Sequence, residues 1–208
     1  MNQFLIQLKE HAQIIEQSLQ DYLPSTLPGY SDKFRKEHIH SFVIHGGKRL
    51  RPALAMMMAQ ELGYDTRTDV KIFSSIELVH DYLLAHDDII DQDDLRWWLP
   101  TLHKALQSNL PDSQIQDRTH FGHAQAIIGG DVIYALAQDV VLESSLSDSQ
   151  KLNILKLFTR TSQEVSRGRY KQFLSDYLKL SELSLEYIVQ HNLIEVPSSY
   201  TFLFPLTF

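Results

Sequence analysis

The run Ile72-Phe73-Ser74-Ser75-Ile76-Glu77-Leu78-Val79-His80-Asp81-Tyr82-Leu83-Leu84-Ala85-His86-Asp87-Asp88-Ile89-Ile90-Asp91 decides the fold. Ile72, Phe73, Ile76, Val79 and Leu83 recur at steps of three and four, the spacing of a helix with a buried face. Near its end the run gains acid without losing apolar residues: Asp87, Asp88 and Asp91 stand among Leu84, Ala85, Ile89 and Ile90. On a helix, Asp87 and Asp91 project from one face roughly 6 Å apart, and Asp88 lies about 100° round. Neighbouring anions repel, so a divalent cation is the natural partner of the pair. A solvated acidic helix end is the plain alternative.

Working outward, helical spacing continues in Leu152, Ile154, Leu155, Leu157 and Phe158, and no sustained strand alternation appears. Pro24, Pro28-Gly29, Gly63, Pro100, Pro111 and Pro197 separate long proline-free stretches. Pro52 fits a first helical turn. The spacing predicts helices near 2–21, 30–45, 51–62, 67–93, 119–142, 148–178 and 183–193, an all-α bundle, with Gln107 to Thr119 as a polar loop.

With 208 residues, 43% hydrophobic and 22% charged, the chain suits one domain, 1–208. It has no cysteine, which excludes a disulfide framework and suits a cytoplasmic location. Met1-Asn2-Gln3-Phe4-Leu5 lacks the layout of a secretion signal, and no 18-residue apolar run or transmembrane segment is expected. A net charge of −7 argues against general nucleic-acid binding.

Any anion must therefore meet a local basic cluster, and Gly46-Gly47-Lys48-Arg49-Leu50-Arg51-Pro52 is one. The glycines let backbone approach an anion, the helix start offers N–H groups, and Lys48 and Arg51 can pair with phosphate oxygens. The spacing is not that of a P-loop. A surface turn before a solvated basic helix start is the other reading. A third cluster follows the acids, Asp93-Asp94-Leu95-Arg96-Trp97-Trp98-Leu99-Pro100-Thr101-Leu102-His103-Lys104. There Arg96 can reach a metal-bound phosphate or pair with Asp93 or Asp94, and Trp97 and Trp98 read as packing residues or a lid.

His80 stands seven residues before Asp87, nearly on the same face, and can donate to a phosphate there; His86 points elsewhere. The other histidines show no metal-site spacing. Gly129-Gly130-Asp131 reads as a close helix crossing, and Gly168 with Gln172 as a cavity lining or a solvated face.

Taken in order, Gly46 to Pro52, Glu77-Leu78-Val79-His80, Asp87-Asp88-Ile89-Ile90-Asp91, Leu95-Arg96, Pro100-Thr101-Leu102-His103, Gly130-Asp131, Tyr200-Thr201-Phe202 and Pro205-Leu206 resemble the trans-polyprenyl diphosphate synthases. The resemblance runs from about residue 40 to 205. It implies the all-α isoprenoid-synthase bundle around a central cavity, in a homodimer. It implies Mg²⁺ held by Asp87 and Asp91, with Asp88 alongside as a third catalytic acid. It also implies an allylic diphosphate bound there and by Arg96, and isopentenyl diphosphate held by Lys48, Arg51 and His80. Head-to-tail condensation follows from that arrangement. Tyr82 and Leu83, just before the acids, match the positions that set chain length and favour C20, with C15 as the other product.

Several features depart from the family pattern. Trp97 and Trp98 replace an arginine and a glycine, and Arg169 stands where an amide or acid is usual. Glu195-Val196-Pro197-Ser198-Ser199 lacks the lysine-threonine pair expected before Tyr200. The chain ends at Phe208, where family members continue to a second aspartate-rich motif, so the sequence covers the N-terminal two thirds of the family domain and lacks the last helices. The expectation is weak or no activity for this chain alone, with a core around Ile133, Leu136 and Phe173 left partly open. Two rival readings are a non-catalytic subunit that pairs with a full-length homologue, and a metal-dependent phosphohydrolase built on His80-Asp81 and His86-Asp87.

Overall fold

A computed structural model describes residues 2–23, 29–31, 33–108 and 116–177, with 184, 186, 189, 201, 202 and 204–208 beyond them. The chain divides into two compact units, Met1–Ser144 and Ser145–Phe208. The first unit holds α1 (Gln3–Tyr22), a π-helical segment Lys33–His40, α2 (Ser41–Ile44), α3 (Leu50–Glu61) and α4 (Val70–Ile90). A hairpin of β1 (Leu95–Arg96) and β2 (Leu99–Pro100) follows, then α5 (Leu102–Gln107) and α6 (Arg118–Leu142). The second unit holds α7 (Asp148–Asp176) and the short α8 (Phe204–Thr207).

The all-α expectation holds, with α4 as the axis of the first unit. From Ile72 to Ala85 it is buried on nearly every side, including Ser74, Ser75, Glu77 and Asp81, because α1, α3, α5 and α6 all pack against it. Glycines let α6 come close. A methyl group at Gly130 would stand 2.6 Å from His86 Nε2, and one at Gly122 would stand 2.5 Å from the His103 carbonyl oxygen. The crossing expected at Gly129-Gly130 is therefore present, and His86 donates from Nε2 to the Ile127 carbonyl across it, 3.2 Å away. In the second unit, Ile154, Phe158, Thr161 and Val165 form the buried stripe of α7. Phe158 meets Phe204 edge-on and stacks with Phe208, each at 6.0 Å between ring centroids.

Several expectations need correction. The helix drawn over 67–93 stops at Ile90, with Asp91 as its C-cap. Strand was not expected, yet Leu95 pairs with Pro100 and Arg96 with Leu99 in an antiparallel hairpin, and α5 was missed within the stretch before the loop. Ile133 and Leu136 are buried, not open, while Phe173 is exposed. The helix expected at 183–193, and Glu195 to Tyr200, lie outside the described residues apart from Ser184, Glu186 and Val189. Among the described residues one helix, α6, contains a window long and apolar enough to cross a membrane. Half of that window is buried inside the protein, as in a core helix.

Candidate active site

Three segments build the site: the turn before α3, the C-terminal half of α4, and the β1–β2 hairpin. The turn runs through Gly46 (φ +126°) and Gly47 (φ +78°) to Arg49 (φ +48°), a left-handed path that two glycines make accessible. It sends the three cations in different directions. Lys48 is exposed. Arg49 turns inward and is only 4% exposed. Its Nε donates to Glu16 at 2.8 Å, its Nη1 to Glu77 at 2.9 Å, and its Nη2 to the Val43 and Ile44 carbonyls at 2.7 and 3.0 Å. Burial works against that charge, but Glu77, through its charge and its hydrogen bond, prevails and holds the guanidinium above its ordinary pKa. Arg51 reaches His80 instead, donating from Nη1 to Nε2 at 3.1 Å.

His80 thus meets a cation, and burial together with Arg51, Arg96 and Arg49 pushes its pKa well below the usual histidine value. The ring is neutral at pH 7, with Nε2 as acceptor and its proton on Nδ1. Sequence reasoning cast this histidine as a phosphate donor; only Nδ1 retains that capacity while the Arg51 contact stands.

At the end of α4, the Asp91 N–H donates to the Asp87 carbonyl at 2.8 Å, so the two acids stand one helical turn apart. Asp87 is half-buried and Asp91 exposed. Both lie where the helix dipole is negative, which raises the demand for a cation beside them. Asp88 points differently. Its side chain is 0% exposed and gripped by Arg96, whose Nε donates to Oδ1 at 2.7 Å while Nη2 contacts the same oxygen. Burial raises the Asp88 pKa and the Arg96 contact opposes the rise.

Arg96 owes its place to the hairpin. Trp97 and Trp98 occupy the turn with φ of +52° and +68°, the signs of a type I′ turn. Trp97 lies over Gly46, where a methyl group would come within 2.9 Å of its Cγ. Trp98 is 93% exposed. Thr101, just after the hairpin, ties it to the α4 end by donating to the Asp93 carbonyl at 2.9 Å. His103 sits 3.2 Å from the Thr101 hydroxyl through Nδ1.

Between these segments lies a pocket of about 150 Å³, whose walls include Gly46, Glu77, His80, Asp81, Arg96 and Trp97. Of the residues singled out in the sequence, it brings together His80 and Arg96, while Lys48, Arg51, Asp87, Asp88 and Asp91 are not among its walls. Tyr82 packs on Tyr134 of α6, centroids 4.6 Å apart, and Leu83 is buried. Tyr134 gave no signal in the sequence because it meets Tyr82 only through the helix crossing. Asp81 was weighed only as the partner of His80 in a phosphohydrolase dyad, and the inward turn of Arg49 was missed. The acid Glu77, one helical turn from Asp81 in an apolar run, was the clue that a buried cation must lie near.

Mg²⁺ is implied by the resemblance, and the donor set fits it. Among the described residues no three His, Asp or Glu side chains gather into a ready metal cage. Two carboxylates suffice, however, because Mg²⁺ keeps waters and takes further oxygens from a phosphate ligand. The phosphohydrolase reading is not favoured: His80 meets Arg51, and His86 meets the Ile127 carbonyl.

Comparison with known proteins agrees with this layout. Residues 32–192 match the sequence profile of the family described as polyprenyl synthetase. The chain belongs to the polyprenyl synthetase family. It is 26% identical over 185 residues to the geranylgeranyl diphosphate synthase of Methanosarcina mazei, covering 85% of this chain and 51% of that one. It is 29% identical over 191 residues to the farnesyl diphosphate synthase of Geobacillus stearothermophilus, covering 88% and 58%. The chain spans about half the length of the curated relatives it matches. Among solved structures it resembles the Corynebacterium glutamicum geranylgeranyl pyrophosphate synthase, complexed with isoprenyl diphosphate and magnesium. That match has a TM-score of 0.81 and 26% identity, over 96% of this chain and 58% of that one. The isoprenoid-synthase bundle expected for a polyprenyl synthetase is thereby confirmed.

Proposed function

We propose that this chain is a prenyltransferase, condensing an allylic diphosphate with isopentenyl diphosphate head-to-tail to give a short-chain polyprenyl diphosphate, C20 in the first instance and C15 as the alternative. The observation that carries this reading is the C-terminal end of α4. There Asp87 and Asp91 stand one turn apart, and Arg96 is folded back onto Asp88 beside them. Asp87 and Asp91 would hold Mg²⁺, which supplies positive charge for a leaving diphosphate. Asp88 acts by fixing Arg96, whose remaining guanidinium edge serves the allylic diphosphate. Lys48, Arg51 and the neutral His80 serve isopentenyl diphosphate.

In the reaction the allylic carbon–oxygen bond breaks, its electron pair leaving with the diphosphate. The isopentenyl double bond supplies the new carbon–carbon bond, and a proton passes to the departing diphosphate. Leu84, Leu99 and Leu102 in the pocket wall keep water from the cationic carbon. Tyr82, packed against Tyr134, and Leu83 set how far the product chain extends. The protein acts in the cytoplasm as a homodimer. Ile127 and Ile128, 45% and 44% exposed midway along α6, support the dimer. Changing both to aspartate is expected to turn a dimer into a monomer in sedimentation, and an unchanged dimer would place the interface elsewhere.

A second reading is a non-catalytic subunit that pairs with a full-length homologue, which the commitment of Arg49 and Arg96 to carboxylates would suit. One assay separates them: Mg²⁺-dependent incorporation of labelled isopentenyl diphosphate, with and without a full-length homologue. Product from this chain alone that disappears in Asp87→Asn supports the enzyme. Product that requires the homologue and survives Asp87→Asn supports the subunit.

A further inference from the structure

Asp81 lines the same pocket, yet nothing above gives it a task. It is 4% exposed, and its Oδ2 is buried with no hydrogen-bond partner. The cations around it bond elsewhere: Arg49 to Glu16, Glu77 and two carbonyls, Arg96 to Asp88, and Arg51 Nη1 to His80. A carboxylate with one oxygen sealed from water and without a donor is driven toward its protonated form. Burial and the charge of Glu77 push Asp81 well above the carboxylate range, against the pull of Arg49, Arg51 and Arg96. The result is a neutral acid among three guanidinium groups, a donor where an anion would be drawn. Its χ2 torsion is broad, so either oxygen can turn to the pocket.

We propose that Asp81 is a ligand-binding residue of this pocket, its carboxyl donating a hydrogen bond to an anionic oxygen of a bound diphosphate. The assignment rests on the reading of the pocket as part of a diphosphate site. It explains why a buried acid persists at a position where leucine or asparagine would suit the free protein better: the ligand supplies the missing partner.

The test is calorimetric titration of the full 208-residue chain with inorganic pyrophosphate in metal-free buffer, comparing wild type, Asp81→Asn and Asp81→Leu, with Tm recorded for each. Asp81→Asn, whose amide still donates, is expected to bind within about threefold of wild type, and Asp81→Leu about ten- to a hundredfold more weakly at equal or higher Tm. Equal affinity for Asp81→Leu and wild type overturns the role of Asp81 and leaves the pocket standing. No binding by the wild type in metal-free buffer overturns the role of Asp81, and no binding with Mg²⁺ added overturns the reading of the pocket as well. If Asp81→Leu does not fold, the Asp81 carboxyl ¹³C resonance, assigned by its loss in Asp81→Asn, decides: a shift on adding pyrophosphate supports the proposal, and a resonance that stays still overturns it.

Discussion

Arg49 shows how a single residue can be misread from its neighbours. Within Lys48-Arg49-Leu50-Arg51 all three cations look available to an anion, but the left-handed turn points Arg49 into the protein, where it makes four hydrogen bonds, to two carboxylates and two carbonyls. Arg49 and Glu77 are 4% and 3% exposed. Removing one member of such a pair leaves the other charge buried and unmatched, at a cost of about 3–5 kcal/mol. Arg49→Met is therefore expected to lower stability by that amount in urea unfolding, and Arg49→Met with Glu77→Leu to regain most of it. A single-variant loss below about 1 kcal/mol would show that the pair is not desolvated. Asp88, fully buried against Arg96, follows the same rule in part, which supports the positioning role proposed for it.

Among the elements, α4 was legible because its apolar steps of three and four persist through polar insertions, and because acids crowd one end. The β1–β2 hairpin was not. Tight turns of this kind are read from Asn-Gly or Asp-Gly, and here two tryptophans take the left-handed conformations, one of them seated over Gly46. The contact that makes the turn tolerable is long-range, so no local pattern announces it. The positions of His80, Asp87 and Asp91 followed from helical spacing alone, while Arg96 reaching Asp88 depended on a turn that could not be foreseen. Since Trp98 is almost fully exposed, Trp98→Gly removes left-handed strain at little packing cost and should stabilise the chain by about 1 kcal/mol. That variant leaves Trp97 as the sole tryptophan. Its emission should shift or quench on titration with pyrophosphate, because Trp97 walls the pocket; an unresponsive signal would place the ligand away from the hairpin.

For the whole molecule, burial of neutral histidines sets the response to acid. Burial pushes His38, His80 and His103 below the usual histidine pKa. The unfolded chain then binds protons more tightly at these sites, so their contribution is present above about pH 6.5 and is lost as pH falls toward the folded values. Asp81 and Asp88 are raised and act in the opposite sense, losing stabilisation as pH rises through their folded values and so trimming the slope. Urea midpoints are expected to fall between pH 7 and 5, the unfolding free energy dropping by up to about 1.4 kcal/mol per pH unit for each histidine titrating. A midpoint that stays flat or rises over that interval would mean that these rings are charged in the folded protein.

The end of α4 is the proposed seat of a metal-bridged diphosphate. Crystals of the chain grown with Mn²⁺ and pyrophosphate, with diffraction recorded at the manganese edge, test it most directly. An anomalous peak within about 2.3 Å of carboxylate oxygens of both Asp87 and Asp91, absent in Asp87→Asn, is the predicted result. Pyrophosphate bound with no metal peak at these two acids, or a peak at another site, would contradict it.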